Sequence, residues 1–271
     1  MPTSTLQKRE KLNQLLRNWP AGTVAVQSWL EKRAISRQLS DLYLKSGWIQ
    51  KIGQGAFIKA GDKVDWMGGL YALQQQLGSK VHLGGKSLLE IIGSSHFMPL
   101  GSQKTLDLYA DEDTQKKPLP KWFVDGFKGS VSIRYWPRGF FKEPLGLDLL
   151  ELPHFSIQVS TTERALMEIL ALIPQVVSYS HAYLLFQGME TLRPSLVQTL
   201  LEGCTSYKVK RLFLHLSKKW ALPWVKLLNL EKIDLGQGKR QIGVGGCYDN
   251  DYKISVPRLS SFEDDNAGIE I

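Results

Sequence analysis

The chain has 271 residues, 43% of them apolar, and a formal net charge of +8 at pH 7. That is enough to bury a real core in one or two domains, and the basic balance favours an anionic partner. The two cysteines, Cys204 and Cys247, lie outside any metal-ligand spacing, and the most apolar stretch, residues 165–174, contains Glu168 and is too short to span a bilayer. No charged-then-apolar leader opens the chain, so the expectation is a cytoplasmic protein with no cofactor and no structural metal.

The charge is not spread evenly. Residues 1–60 carry ten Lys or Arg against Glu10, Glu31 and Asp41, and residues 203–230 carry six basic residues and no acidic one. A basic island on a small domain is the usual electrostatic footprint of nucleic-acid binding.

In chain order, Leu6, Leu12, Leu15 and Leu16 recur at helical spacing between Ser4 and Asn18, opposite Lys8, Arg9, Lys11 and Arg17, and Pro20 stops the helix. A second helical run is expected over Val24–Glu31, burying Val26, Trp29 and Leu30. Ala34 and Ile35 make a turn, and Ser36 caps a third helix through Lys45, which Gly47 ends. In that helix Leu39, Leu42 and Tyr43 share one face, and Arg37, Gln38, Ser40, Asp41 and Lys45 fall mostly on the other. Trp48–Ile52 and Ala56–Ile58 then read as strands around Gly53-Gln54-Gly55, whose glycines supply the positive φ of a hairpin turn.

Three helices followed by a hairpin are the plan of a winged helix-turn-helix, expected over residues 1–60. On that plan Arg37 and Gln38 suit the edges of guanine and adenine, and Ser40 suits a base or a phosphate. Lys45, Lys51 and Lys59 suit the phosphate backbone, and Gln54 sits at the wing tip. The alternative for the same plan is a winged helix that docks a protein.

Residues 61–258 read as a larger mixed domain, so the fold class is α+β. A helix is expected over Asp65–Leu77. Strands are expected at Val81–Leu83, Thr105–Tyr109, Val131–Tyr135 and Phe155–Val159. Further helices are expected at Lys86–Ile92, Thr162–Leu172, His181–Gln187, Pro194–Leu201 and Tyr207–Trp220. A hairpin pairing Lys239–Val244 with Tyr252–Val256 closes the domain, and residues 259–271 form an acidic, mobile tail.

The stretch Trp48-Ile49-Gln50-Lys51-Ile52-Gly53-Gln54-Gly55-Ala56-Phe57 is similar to the wing of the AbiEi-type antitoxin family of type IV toxin–antitoxin pairs. Val81-His82-Leu83-Gly84-Gly85-Lys86-Ser87-Leu88-Leu89-Glu90 resembles its strand-to-helix segment after the head, and Val159-Ser160-Thr161-Thr162-Glu163-Arg164-Ala165-Leu166-Met167-Glu168 resembles a later one. The last motif commonly ends in Asp where this chain has Glu168. The resemblance implies a bacterial or phage-encoded antitoxin whose head binds promoter inverted repeats in double-stranded DNA and represses its own operon. It also implies a nucleotidyltransferase-like toxin as counterpart, with or without a stable complex between the two.

Other constellations compete with that reading. Gly84-Gly85-Lys86-Ser87 looks like the end of a P-loop, but the position of its first glycine holds Lys80. Gly101-Ser102 followed by Asp111-Glu112-Asp113 has the look of an Mg²⁺-dependent nucleotidyltransferase, yet Asp111–Pro120 reads as a solvated loop. His82, His96, His154, His181 and His215 show no paired metal spacing, so no enzyme is expected. In Tyr207–Trp220 the side chains of Lys208, Arg211, His215, Lys218 and Lys219 gather opposite an apolar stripe. This secondary basic face suits DNA phosphates, an acidic protein, or the C-terminal end of its own helix.

Overall fold

The structure is a computed structural model, and it describes residues 3–93, 104–111, 118–137, 139–141, 143–243 and 246–258. Its elements in chain order are α1 (Thr3–Asn18), β1 (Ala25–Val26), α2 (Gln27–Glu31), α3 (Arg37–Lys45), β2 (Ile49–Gly53) and β3 (Ala56–Lys59). Next come α4 (Trp66–Tyr71), which runs on as a π-helical turn Ala72–Gln76, then β4 (Val81–Leu83), α5 (Gly85–Ile91), β5 (Thr105–Ala110), α6 (Lys121–Phe127) and β6 (Ser132–Trp136). The chain continues through β7 (Leu147–Glu151), β8 (Ser156–Ser160), α7 (Thr162–Ala171), α8 (Tyr179–Phe186), α9 (Pro194–Gly203) and α10 (Tyr207–Lys219). Two 3-10 turns, Pro223–Leu227 and Leu230–Lys232, lead to β9 (Arg240–Gln241), β10 (Cys247–Asp249) and β11 (Ile254–Val256). The fold class is α+β, with a winged helix at the N-terminus.

The chain divides into two compact units, the first within Met1–Leu83, Leu100–Arg138 and Asp148–Val159, the second within Gly84–Pro99, Gly139–Leu147 and Ser160–Ile271. In the first, the head is a three-stranded antiparallel sheet in the order β1-β3-β2, with α2 against β1 and α3 against β2. Residues 24–31 are not one helix. Ala25 and Val26 pair with Phe57 and Ala56 across β3, and only Gln27–Glu31 is helical. Val24, Ala25 and Val26 are all buried, as a strand enclosed on both faces must be, and such a short apolar run has no periodicity to separate it from a helix.

Two glutamines of the π-helical turn tie the head to a second sheet. Gln76 behaves as a neighbouring strand for β1, its Oε1 accepting from Val26 N at 2.9 Å and its Nε2 donating to Val24 O at 2.7 Å. Gln74 points the other way. Its Nε2 donates to the carbonyls of Val81 and Gln158 at 2.7 and 3.0 Å, and its Oε1 accepts from Gln158 N at 2.8 Å. Both amides are buried with their donors and acceptors engaged, which is the condition for burying a polar group at low cost.

That second sheet has five strands in the order β6-β5-β4-β8-β7. β4 runs antiparallel to β5 and parallel to β8, and β5 runs parallel to β6 with α6 in the connection between them. Asp107 and Arg134 lie directly opposite each other on β5 and β6, and the guanidinium grips the carboxylate at 2.7 and 2.8 Å. The strands at β4, β5, β6 and β8 match expectation; α6 and β7 were not anticipated.

In the second unit α7 is the central helix, buried from Glu163 to Leu170, with α5, α9 and α10 against it. The C-terminal strands differ from the expected pairing. The hairpin is β10–β11, and β9 joins β11 in parallel, with Arg240 beside Ile254. The turn of that hairpin is set by Asp249, whose Oδ1 accepts from the backbone N–H of Asp251 at 2.9 Å and of Tyr252 at 3.3 Å. Residues 259–271, expected as a tail, lie outside the described residues, as do His96, Gly101, Ser102, Glu112 and Asp113.

Candidate nucleic-acid interface

The turn from α2 to α3 is built locally. Ala34 takes φ +59°, Ile35 is buried beneath it, and the Ser36 hydroxyl accepts from Leu39 N at 3.4 Å to open α3. Gly47, at φ +71°, closes the helix, with Trp48 N donating to Tyr43 O at 3.0 Å. α3 is thereby held with Ser40 and Tyr43 inward and Arg37, Gln38, Asp41, Leu42 and Lys45 outward.

Of the expected contact residues, Arg37, Gln38, Lys45, Lys51 and Gln54 are exposed on α3 and the wing. The Arg37 side chain is 83% exposed and only skirts Glu31, at 3.4 Å, an ion pair that solvent screens heavily. Arg33, in the turn, lies over the Trp29 ring at 3.8 Å, a cation–π contact that sequence reasoning missed.

Two residues leave the expected set. Ser40 is 1% exposed and its hydroxyl donates back to Ser36 O at 3.2 Å, so it faces the core and not a base. Lys59 spends its ammonium internally, donating to Trp19 O at 2.8 Å with Asp62 Oδ2 at 4.0 Å, which ties the end of the wing to the end of α1. Conversely, Leu42, expected inside, is exposed, as is Trp48. The inner face of α3 is turned so that Ser40 takes the place assigned to Leu42.

The wing differs from expectation in one glycine. Gly55 takes the positive φ of the turn, +68°, but Gly53 does not; its Cα–H faces α6, and a Cβ there would stand 2.6 Å from Trp122 Cβ. Gly53 is required for close approach and not for the turn.

The secondary basic face on α10 does not exist as a surface. From Val209 to Ser217 every residue is buried. Lys208 donates to the carbonyls of Ala171 and Ile173, both at 2.7 Å, neutralising the C-terminal end of α7. Lys210 donates to Asp234 O at 2.9 Å. Arg211, 1% exposed, donates to the carbonyls of Leu235, Gly236, Gln237, Gly238 and Lys253. His215 stands between Asp249, 2.6 Å from Nδ1, and the Tyr179 hydroxyl, 2.9 Å from Nε2. The carboxylate accepts, so Nδ1 carries the proton and the phenol donates to Nε2. Burial lowers the His215 pKa and outweighs the pull of Asp249 in the other direction. Burial would raise Asp249, but the hydrogen bond from His215 and those from the backbone hold it below the usual carboxylate range. Lys218 and Lys219 alone are exposed, and Lys218 is paired with Asp251.

The glycines before α5 serve an internal carboxylate. Gly85 N donates to Glu168 Oε2 at 2.8 Å, and a Cβ on Gly84 would collide with that same oxygen. The N–H end of α5 is occupied by the protein's own anion where a P-loop would hold a phosphate. Asp111, at the end of β5, is buried and not on a solvated loop. Among the described residues no group of three His, Cys, Asp or Glu is placed to hold a metal, and no helix is long and apolar enough to cross a membrane.

A winged helix with its outer face exposed, joined in one chain to an α+β body, has the form of a transcriptional regulator. Two family models match the chain, and it belongs to their family. Residues 8–100 match the N-terminal domain of the AbiEi antitoxin transcriptional regulators, and residues 103–257 match the AbiEi antitoxin of type IV toxin–antitoxin systems. No curated protein matches by sequence. Among solved structures, the crystal structure of the RV2827C protein from Mycobacterium tuberculosis shares the fold. It is 14% identical, with a TM-score of 0.58, over 94% of this chain and 93% of that one.

Proposed function

We propose that this antitoxin-family regulator is a sequence-specific DNA-binding repressor of its own operon, with residues 1–60 as its DNA-binding head. Arg37 and Gln38 at the start of α3 read base edges, and Lys45, Lys51 and Gln54 hold the phosphate backbone. Residues 61–258 form the antitoxin-like part, which counteracts a nucleotidyltransferase-like toxin in the cytoplasm without enzymatic activity of its own. The reading is carried by the outer face of α3 and the wing, where these five side chains are all exposed beside a helix whose inner face is fully used.

The test is a titration of the protein on DNA from upstream of its own gene, at 50 and 200 mM salt, against a scrambled competitor. Tight, competitor-resistant binding that weakens steeply with salt supports the repressor, because neutralised phosphates release counterions. Binding no better than to the competitor overturns it. The exposed Leu42 and Trp48 on the same surface favour a second reading, a head that docks a protein. Weak salt dependence would favour that reading.

A further inference from the structure

The wing of this head is not a free hairpin. A bulge between Lys51 and Gly53 sends two successive positions of β2 toward the same neighbour, α6. A Cβ on Gly53 would stand 2.6 Å from Trp122 Cβ and 2.7 Å from its Cα, and a Cβ on Gly126 would stand 3.0 Å from Ile52 Cγ1. Trp122 and Gly126 are one helical turn apart, so this face of α6 lies along the wing. The next face, Phe123 and Phe127, closes on Gly69 of α4. α6 is thus wedged between the wing and the helix that carries the glutamine clamp. Its solvent side holds Lys121, Val124, Asp125 and Lys128.

Lys121 is the residue before Trp122, and Gln54, at the wing tip, is the residue after Gly53. Because Gly53 meets Trp122 and Ile52 meets Gly126, β2 and α6 run in opposite senses along the seam, which puts Gln54 and Lys121 toward the same end of it. Lys121 is exposed and makes no ion pair with a described residue, Asp125 one turn on included. It therefore offers a compact charge on a long flexible stem, carried at the wing-tip end of that seam.

We propose that Lys121 is a further DNA-backbone contact, supplied from outside the winged helix, and that the Ile52–Gly53 seam with Trp122 and Gly126 sets the wing position from which Lys51, Gln54 and Lys121 act together. This rests on the DNA-binding reading above. The partner chemistry is a duplex phosphate and not a base, so Lys121 adds affinity and salt dependence without changing sequence preference.

The experiment compares wild type, Lys121→Ala, Lys121→Arg and Lys51→Ala on the upstream DNA at 50 and 200 mM salt. One lost phosphate contact removes about 0.9 from the slope of log affinity against log salt, so the affinity loss between the two salts shrinks about threefold in Lys121→Ala. Lys121→Arg keeps the wild-type slope, and base preference is the same in all four. If Lys51→Ala lowers the slope and Lys121→Ala does not, the Lys121 assignment is overturned while the repressor reading stands. If wild type itself shows no competitor-resistant binding, the repressor reading falls and this one with it. Gly53→Ala tests the seam separately. Displacing the wing from α6 reduces the effect of Lys121→Ala in that background, and strict additivity of the two changes overturns the seam's role.

Discussion

Arg164 and Glu168, one helical turn apart on α7, form an ion pair at 2.9 Å in which each side chain is only 1% exposed. The pair survives burial because its remaining valences are filled. Ser160 Oγ donates to both carboxylate oxygens at 2.8 and 2.9 Å, Gly85 N donates to Oε2, and Arg164 reaches Leu145 O at 2.6 Å. Removing one partner strands the other. Glu168→Ala is expected to lower the unfolding free energy by about 3–5 kcal/mol. Urea denaturation measures it, and a loss below about 1 kcal/mol would show that water reaches the site.

The glutamine clamp predicts a second loss. Gln76→Ala leaves Val24 O and Val26 N buried without their partner, at about 1–3 kcal/mol for each group. The same denaturation experiment reads this, and Gln75→Ala, exposed on the same turn, is the comparison that stays near wild type.

On the head, Arg37→Ala is expected to weaken operator binding by about 1–3 kcal/mol and relax base preference. Ser40→Ala and Lys59→Met are expected to leave the salt slope at its wild-type value, since neither group faces solvent in a way that admits a phosphate. Lys59→Met lowers the melting temperature instead. A reduced slope in Lys59→Met would return that residue to the interface.

Arg211→Lys keeps the charge and loses the fork. An ammonium has three donors in place of the guanidinium's five, and its shape cannot follow five carbonyls. The expected cost is about 3 kcal/mol, as several part-buried carbonyls lose hydrogen bonds from a charged donor. Limited proteolysis within residues 234–239 should quicken in step, and unchanged cleavage would contradict the assignment.

His215 gives the pH dependence a sign. Burial holds its folded pKa below the ordinary 6.5, so folding releases protons; its contribution is complete above pH 6.5 and is lost as the pH falls through the lower folded value. Wild type should lose thermal stability between pH 7 and 5, and His215→Gln should flatten that fall. His181, lowered by burial and then by Lys86, supplies the residual slope. An identical slope in the two proteins would assign the loss elsewhere.

The head was largely legible because its signals are local. Ser36, Gly47 and Gly55 mark a cap, a stop and a turn, each by a property of one residue. Ser40 was misplaced because Leu39, Leu42 and Tyr43 look like one stripe on a wheel, while packing turned the helix by about one position. The basic face of α10 failed for a deeper reason. Lys208, Lys210 and Arg211 are satisfied by main-chain carbonyls, and a carbonyl belongs to every residue, so no side-chain pattern announces it. α6 was missed because seven residues opening on Pro118-Leu119-Pro120 look like the end of a loop.

The Arg211 site has a counterpart in coordination chemistry. A ring of carbonyl oxygens around a central cation is an ionophore, and here the cation is tethered to the framework by its own side chain. Because the ligating atoms are main-chain oxygens, residues 235–238 can exchange side chains freely so long as Gly236 and Gly238 keep their positive φ of 68° and 73°. The shape of this loop is thus fixed jointly by one side chain from a distant helix and by two glycines of its own.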